Sequence, residues 1–110
     1  MASIIPVEKT FTRLTAAGST AAYNVALNIN HTFAVTVAAI DTTVDVRVEG
    51  SVDGTNWFNL DATGADTQYS ANGTYLLEKK NFRCREMRFT FVSEAGGAAA
   101  TIDVIYSGGR

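Results

Sequence analysis

Only a few residues in this 110-residue chain have side chains suited to catalysis or metal binding, and most are alone of their kind. His31 is the single histidine, so a Ser-His or Cys-His pair would have to use it. It stands in "NINHTF", between two apolar runs, where a solvated turn is expected. No Gly-x-Ser-x-Gly elbow or paired His-Glu motif accompanies it. Cys84, the single cysteine, lies between Arg83 and Arg85, whose charges would favour a thiolate. Its strand-like setting argues instead for a small buried hydrophobe. Asp41, Asp45, Asp61 and Asp66 lack the spacing of a calcium loop between two helices, although loops of a sandwich leave calcium open. No catalytic residue, no metal site and no cofactor are expected.

The stretch "VEGSVDGTNWFNL", Val48 to Leu60, is the richest in polar and aromatic groups. One account makes it a carbohydrate platform, with Trp57 stacking on a sugar and Asp53 and Asn56 bonding its hydroxyls. The other makes it a β-hairpin: Asp53 accepts backbone N–H groups, Gly54 takes the left-handed conformation, and Trp57 closes over the end as core. The hairpin is the expectation. A second stretch, "KKNFRCREMR", holds five of the nine basic residues: Lys79, Lys80, Arg83, Arg85 and Arg88. Interleaved with Phe82, it has the makings of a phosphate contact. Glu78 and Glu86 interrupt it, however, and a salt-bridged surface or subunit contact through Arg83, Arg85 and Arg88 fits better.

These residues need a scaffold, and the chain reads as strands. Tyr23, Val25, Leu27 and Ile29 alternate with polar or small residues. So do Phe33, Val35 and Val37, then Val44, Val46, Val48 and Val52. Met87, Phe89 and Phe91 follow, then Ile102, Val104 and Tyr106. Phe82 and Cys84 are out of phase with Met87, which predicts a bulge or break at Arg85–Glu86. Asp53–Gly54, Asn72–Gly73 and Gly96–Gly97 supply tight turns. The sequons at Asn30 and Asn72 are read as turns. No helical stripe appears. The expected fold is all-β: a single β-sandwich, jelly-roll or Ig-like, of seven to eight mostly antiparallel strands covering residues 1–110.

Composition limits the rest. A net charge of −2 gives no pull toward nucleic acid or an anionic membrane, and neither is an expected partner. No apolar run reaches the roughly 20 residues of a membrane span. One cysteine rules out an intrachain disulfide, and the start lacks a secretory signal pattern, so synthesis and folding in a cytoplasm are expected. Alanine inflates the 46% hydrophobic content, leaving a modest core that would gain from oligomerisation. Residues 1–7 are a candidate arm, because Pro6 is confined to an edge or an extended segment and Ile4, Ile5 and Val7 need cover.

The block "VDVRVEGSVDGTNWFNL", with the ending "NFRCREMRFTFVSEAGGAAATIDVIYSGGR", resembles small β-sandwich virion proteins of tailed bacteriophages, of the head-decoration or cement type. The Ser51-to-Trp57 pattern is also similar to that of discoidin-like and carbohydrate-binding sandwiches. The first resemblance implies a non-enzymatic protein, often trimeric, bound to the major capsid protein on the virion surface. Capsid or subunit contacts are expected at Ile4, Ile5, Pro6 and Val7 and at Arg83, Arg85 and Arg88, with Asp53, Gly54 and Trp57 forming a structural hairpin. The alternatives are a glycan-binding or adhesion module, or a tail accessory protein.

Overall fold

A computed structural model describes residues 10–61 and 63–109; the expected arm at residues 1–7 lies outside them. The chain is all-β, with no helix among the described residues. The strands are β1 Thr10–Leu14, β2 Gly18–Ser19, β3 Tyr23–Asn24, β4 Asn30–Ala38, β5 Thr43–Ser51, β6 Phe58–Asn59, β7 Thr67–Tyr69, β8 Gly73–Lys79, β9 Glu86–Ala95 and β10 Thr101–Gly109.

Two antiparallel sheets face each other. The first runs β1-β10-β4-β8. The second runs β2-β9-β5-β6, with β3 also on β9 and β7 also on β5. β2 and β3 are two pieces of one lane along β9, stitched by Thr20 N–H to Phe89 O and Val25 N–H to Arg85 O. β6 and β7 share a lane along β5 in the same way. Counted by lanes, the ten segments fill eight positions in the order 1-8-3-6 and 2-7-4-5. That is the jelly roll, in which successive strands mostly change sheets. The expectation of a sandwich holds, and its connectivity is now fixed.

The long strands obey period two. On β4, His31, Phe33, Val35 and Val37 are buried while Thr32, Ala34 and Thr36 face outward. Val44 and Val46, Met87, Phe89 and Phe91, and Ile102, Val104 and Tyr106 supply most of the remaining core. Tyr106 is its centre, 5.0 Å from the ring of Phe33 and stacked on Tyr23 at 5.2 Å. Where β7 leaves one sheet for β8 in the other, Tyr69 stacks on Tyr75 at 4.0 Å and closes that seam.

Several expectations are corrected. The expected strand from Tyr23 to Ile29 stops after Asn24: Asn28 N–H bonds Val25 O in a turn, which exposes Leu27 and buries Asn28. The turn therefore falls before Asn30, and both Asn30 and His31 belong to β4. Asn72–Gly73 and Gly96–Gly97 are not tight hairpins, because each joins strands of different sheets. Val52 is 69% exposed, since β5 ends at Ser51 and the chain bends away. The break at Arg85–Glu86 is present, as β9 begins at Glu86. A bulge sits elsewhere: Asp45 pairs with Ser93 but Val46 with Phe91, leaving Val92 as the extra residue.

Candidate functional site

The antiparallel pairing of β5 with β9 sets Ser51 opposite Glu86, Gly50 opposite Met87 and Glu49 opposite Arg88. This register brings the Val48–Leu60 stretch and the basic cluster together at one end of the sandwich. Between β5 and β6 the chain turns through Val52–Trp57, closing a hairpin with Gly50 opposite Phe58. Asp53 builds that turn. Its carboxylate accepts the N–H groups of Thr55 and Asn56, both at 2.8 Å, and the Asn56 amide at 2.6 Å. The Ser51 hydroxyl donates to it at 3.0 Å and accepts from Gly54 N–H at 2.8 Å. The bonds from Asn56 and Thr55 hold the Asp53 carboxyl well below its ordinary range, so it is a weak base with its lone pairs already engaged.

Gly54 has φ 79°, and a Cβ there would lie 2.5 Å from Oε2 of Glu86. Arg85 anchors the other side: its N–H bonds Ser51 O at 3.0 Å and its guanidinium donates to Asp53 O at 3.4 Å. Both Arg85 and Arg83 are exposed in the β8–β9 connection. Arg88 is differently placed. It projects from β9 over the outer face of the second sheet, donates to Glu49 at 2.7 Å and lies 4.1 Å from the centroid of the Trp57 ring.

Trp57 is therefore half-buried on a polar face, not core as expected. Its neighbour in that face is a charged pair, and the hydrophobic core forms without it. Arg88 occupies one face of the indole, leaving at most the other for stacking. Beside it, Glu49 receives Arg88, the Thr90 hydroxyl at 2.9 Å and Arg47 at 3.6 Å. Burial opposes its ionisation, but the bonds from Arg88 and Thr90 outweigh this and hold its carboxyl below the usual value. Sequence reasoning missed Glu49, which looked like a solvated residue on a clean amphipathic strand.

His31 is the larger surprise. It is 1% exposed and belongs to β4, not to a solvated turn. Nε2 lies 3.0 Å from Phe82 O, a pure acceptor, so Nε2 carries the proton. Nδ1 then accepts from the Tyr106 hydroxyl at 2.7 Å, and that oxygen accepts from the Asn28 amide at 3.2 Å. The result is a directed chain from Asn28 through Tyr106 and His31 to the loop carbonyl. Gly108 lies against it, and a Cβ there would collide with Asn28 Nδ2 and the Tyr106 hydroxyl. Burial lowers the His31 pKa against the opposing bond to Phe82.

Cys84 is buried as expected, donates to Glu86 O at 3.3 Å, and burial raises its thiol pKa. It is a thiol rather than a ready thiolate. Among the described residues, no group of three or more His, Cys, Asp or Glu side chains is placed to hold a metal ion.

A cleft of about 140 Å³ opens at the seam between β8 and the β5–β6–β7 edge. Phe33, Val48 and Leu77 contribute apolar surface, and Arg47, Asp61 and Lys79 contribute charge. Arg47 is tied to Asp66 at 2.8 Å. The cleft is well below the roughly 300–1,000 Å³ of pockets that enclose drug-sized ligands.

No protein-family profile matches the chain, and no curated protein matches it in sequence. Its fold is similar to that of the SPBc2 prophage-derived protein YomS, with a TM-score of 0.51 and 10% identity over 97% of this chain and 100% of that one. A structure reported under the description that Bacillus endospore appendages form a novel family of disulfide-linked pili aligns at a TM-score of 0.43. Its identity is 11%, covering 100% of this chain and 98% of that one. The likeness to the prophage-derived protein is one of fold.

Proposed function

We propose that this chain is a non-enzymatic structural protein of a tailed-bacteriophage particle, binding the outer surface of the assembled capsid as a homo-oligomer. The observation that carries this reading is the end-to-end likeness in fold to a protein of prophage origin. It agrees with the resemblance in the Val44–Leu60 and Asn81–Arg110 stretches. The chemistry of the chain supports it too. Asp53 is saturated by its own turn, His31 is built into the core, and the Cys84 thiol is buried, so the reactive side chains are engaged in holding the fold. What the sandwich presents outward is surface for contact: the Arg83–Arg85 connection at one end and the outer face of the first sheet.

Cosedimentation of the purified protein with capsid shells of the virus that encodes it tests the proposal. Saturable binding to shells, at many copies per particle, is the expected result. Protein left in the supernatant with shells, while tails retain it, would assign it to the tail; failure to bind either would overturn the virion role.

A further inference from the structure

The two outer faces of the sandwich are unlike. On the second sheet, Glu49 is held by Arg88 and Thr90, Ser19 bonds Thr90 at 2.8 Å, and Asp45 receives Gln68 at 2.8 Å and Ser93 at 3.3 Å. That face satisfies itself. On the first sheet, one row of directly paired residues crosses all four strands: Phe11 opposite Ile105, Ile105 opposite Ala34, and Ala34 opposite Leu76. All four point away from the core, and Phe11 and Leu76 are 58% and 62% exposed. An unbroken apolar row of this kind at right angles to the strands marks a contact surface.

We propose that this row is where a second copy of the chain docks, face to face, about a two-fold axis parallel to the strands. Such an axis reverses the row. It sets Phe11 against the partner's Leu76, and the large Ile105 against the small side chain of the partner's Ala34. The same operation sets Arg13 against the partner's Thr74, Asp103 against the partner's Thr36 and Thr32 against the partner's Ser107, so no like charges meet among these six residues. Arg13 and Asp103 already pair at 2.7 Å within one copy, and they border the row without needing a partner charge. Four strands about 4.8 Å apart and roughly seven residues long give about 450 Å² of sheet per copy. Two copies together approach the roughly 1,000 Å² of a specific interface before protruding side chains are counted. This inference rests on the self-association in the proposed function, but it sets the copy number at two, where the resemblance implies three.

Sedimentation of the full chain without capsids tests it separately from capsid binding. The parent should run at twice the 11.7 kDa of one chain. Phe11→Lys and Leu76→Glu should each run as single chains, weakened at least tenfold in association, with the parent's circular dichroism. Mixing the two variants should restore the two-chain species, because a lysine then meets a glutamate on one side and Phe11 meets Leu76 on the other. Leu76→Ser, a simple truncation at an exposed site, replaces a charged variant that fails to fold. A parent that runs as one chain would mean that the row is covered by residues 1–9 or by another protein, and would overturn the proposal. A three-chain parent, variants that still pair, or a mixture that stays apart would also overturn it.

Discussion

The hydroxyl of Tyr106 lies 2.7 Å from Nδ1 of His31, and both residues are almost wholly buried. Burial favours neutral His31, with Nε2 donating to Phe82 O and Nδ1 accepting from the Tyr106 hydroxyl. A folded-state pKa below the ordinary value means that the unfolded chain takes up a proton first as the pH falls. The stability contributed by neutral His31 is complete above about pH 6.5 and declines as the pH drops below it. We expect the urea midpoint to fall between about pH 7 and pH 5, above the range where ordinary carboxylates titrate. His31→Gln should start lower and show a flatter profile. An unchanged slope in that variant would place the acid sensitivity elsewhere.

Gly108 tests the same network by crowding it. Gly108→Ala inserts a methyl against Asn28 and Tyr106, and overpacking of this kind costs about 1–3 kcal/mol. Chemical denaturation should register that loss, and Gly109→Ala, where a Cβ meets nothing within 4 Å, should not.

Trp57→Ala should remain folded. A buried tryptophan would cost about 3–5 kcal/mol. A half-buried ring beside Arg88 should cost about 1–2 kcal/mol, including the roughly 0.5–1 kcal/mol of an exposed cation–π contact. Trp57 is the only tryptophan, so intrinsic fluorescence of the parent reports this hairpin directly. A variant as stable as the parent that loses binding on a glycan array would favour the sugar-platform account.

Gly54→Ala should lose about 1–2 kcal/mol from the left-handed backbone alone. Gly54→Asn should lose less, since asparagine tolerates that conformation. Adding Glu86→Ala should recover only the steric part, from the contact with Oε2. Thermal melts of the three variants check the order.

The strands were legible where alternation is strong. Val44–Val46, Phe33–Val37, Met87–Phe91 and Ile102–Tyr106 all bury the faces their spacing marks. What alternation does not contain is the partner of each strand. Asn28 is buried because Tyr106, 78 positions away, offers its hydroxyl, and that contact ends the run that began at Tyr23. His31 looked like a turn residue for the same reason: its polar ring is tolerable in the core only through Phe82 and Tyr106. Trp57 was misplaced by treating size as burial, whereas the register of β5 with β9 put Arg88 beside it. The apolar row on the first sheet was invisible too, since it takes one residue from each of four strands scattered from Phe11 to Ile105.

The pairing of β1 with β10 has a consequence for how the molecule is made. Arg13 and Asp103 meet across 90 positions, and β10 lies between β1 and β4 in the first sheet. On a ribosome, β1 must wait until β10, some 90 positions later, has emerged before it gains its ladder. β4 waits for the same strand as one of its two neighbours. Such distant closure makes folding slow. A chain stopped short of Thr101 would lack the strand that joins β1 to the sheet, so synthesis of β10 acts as the gate to the native sandwich.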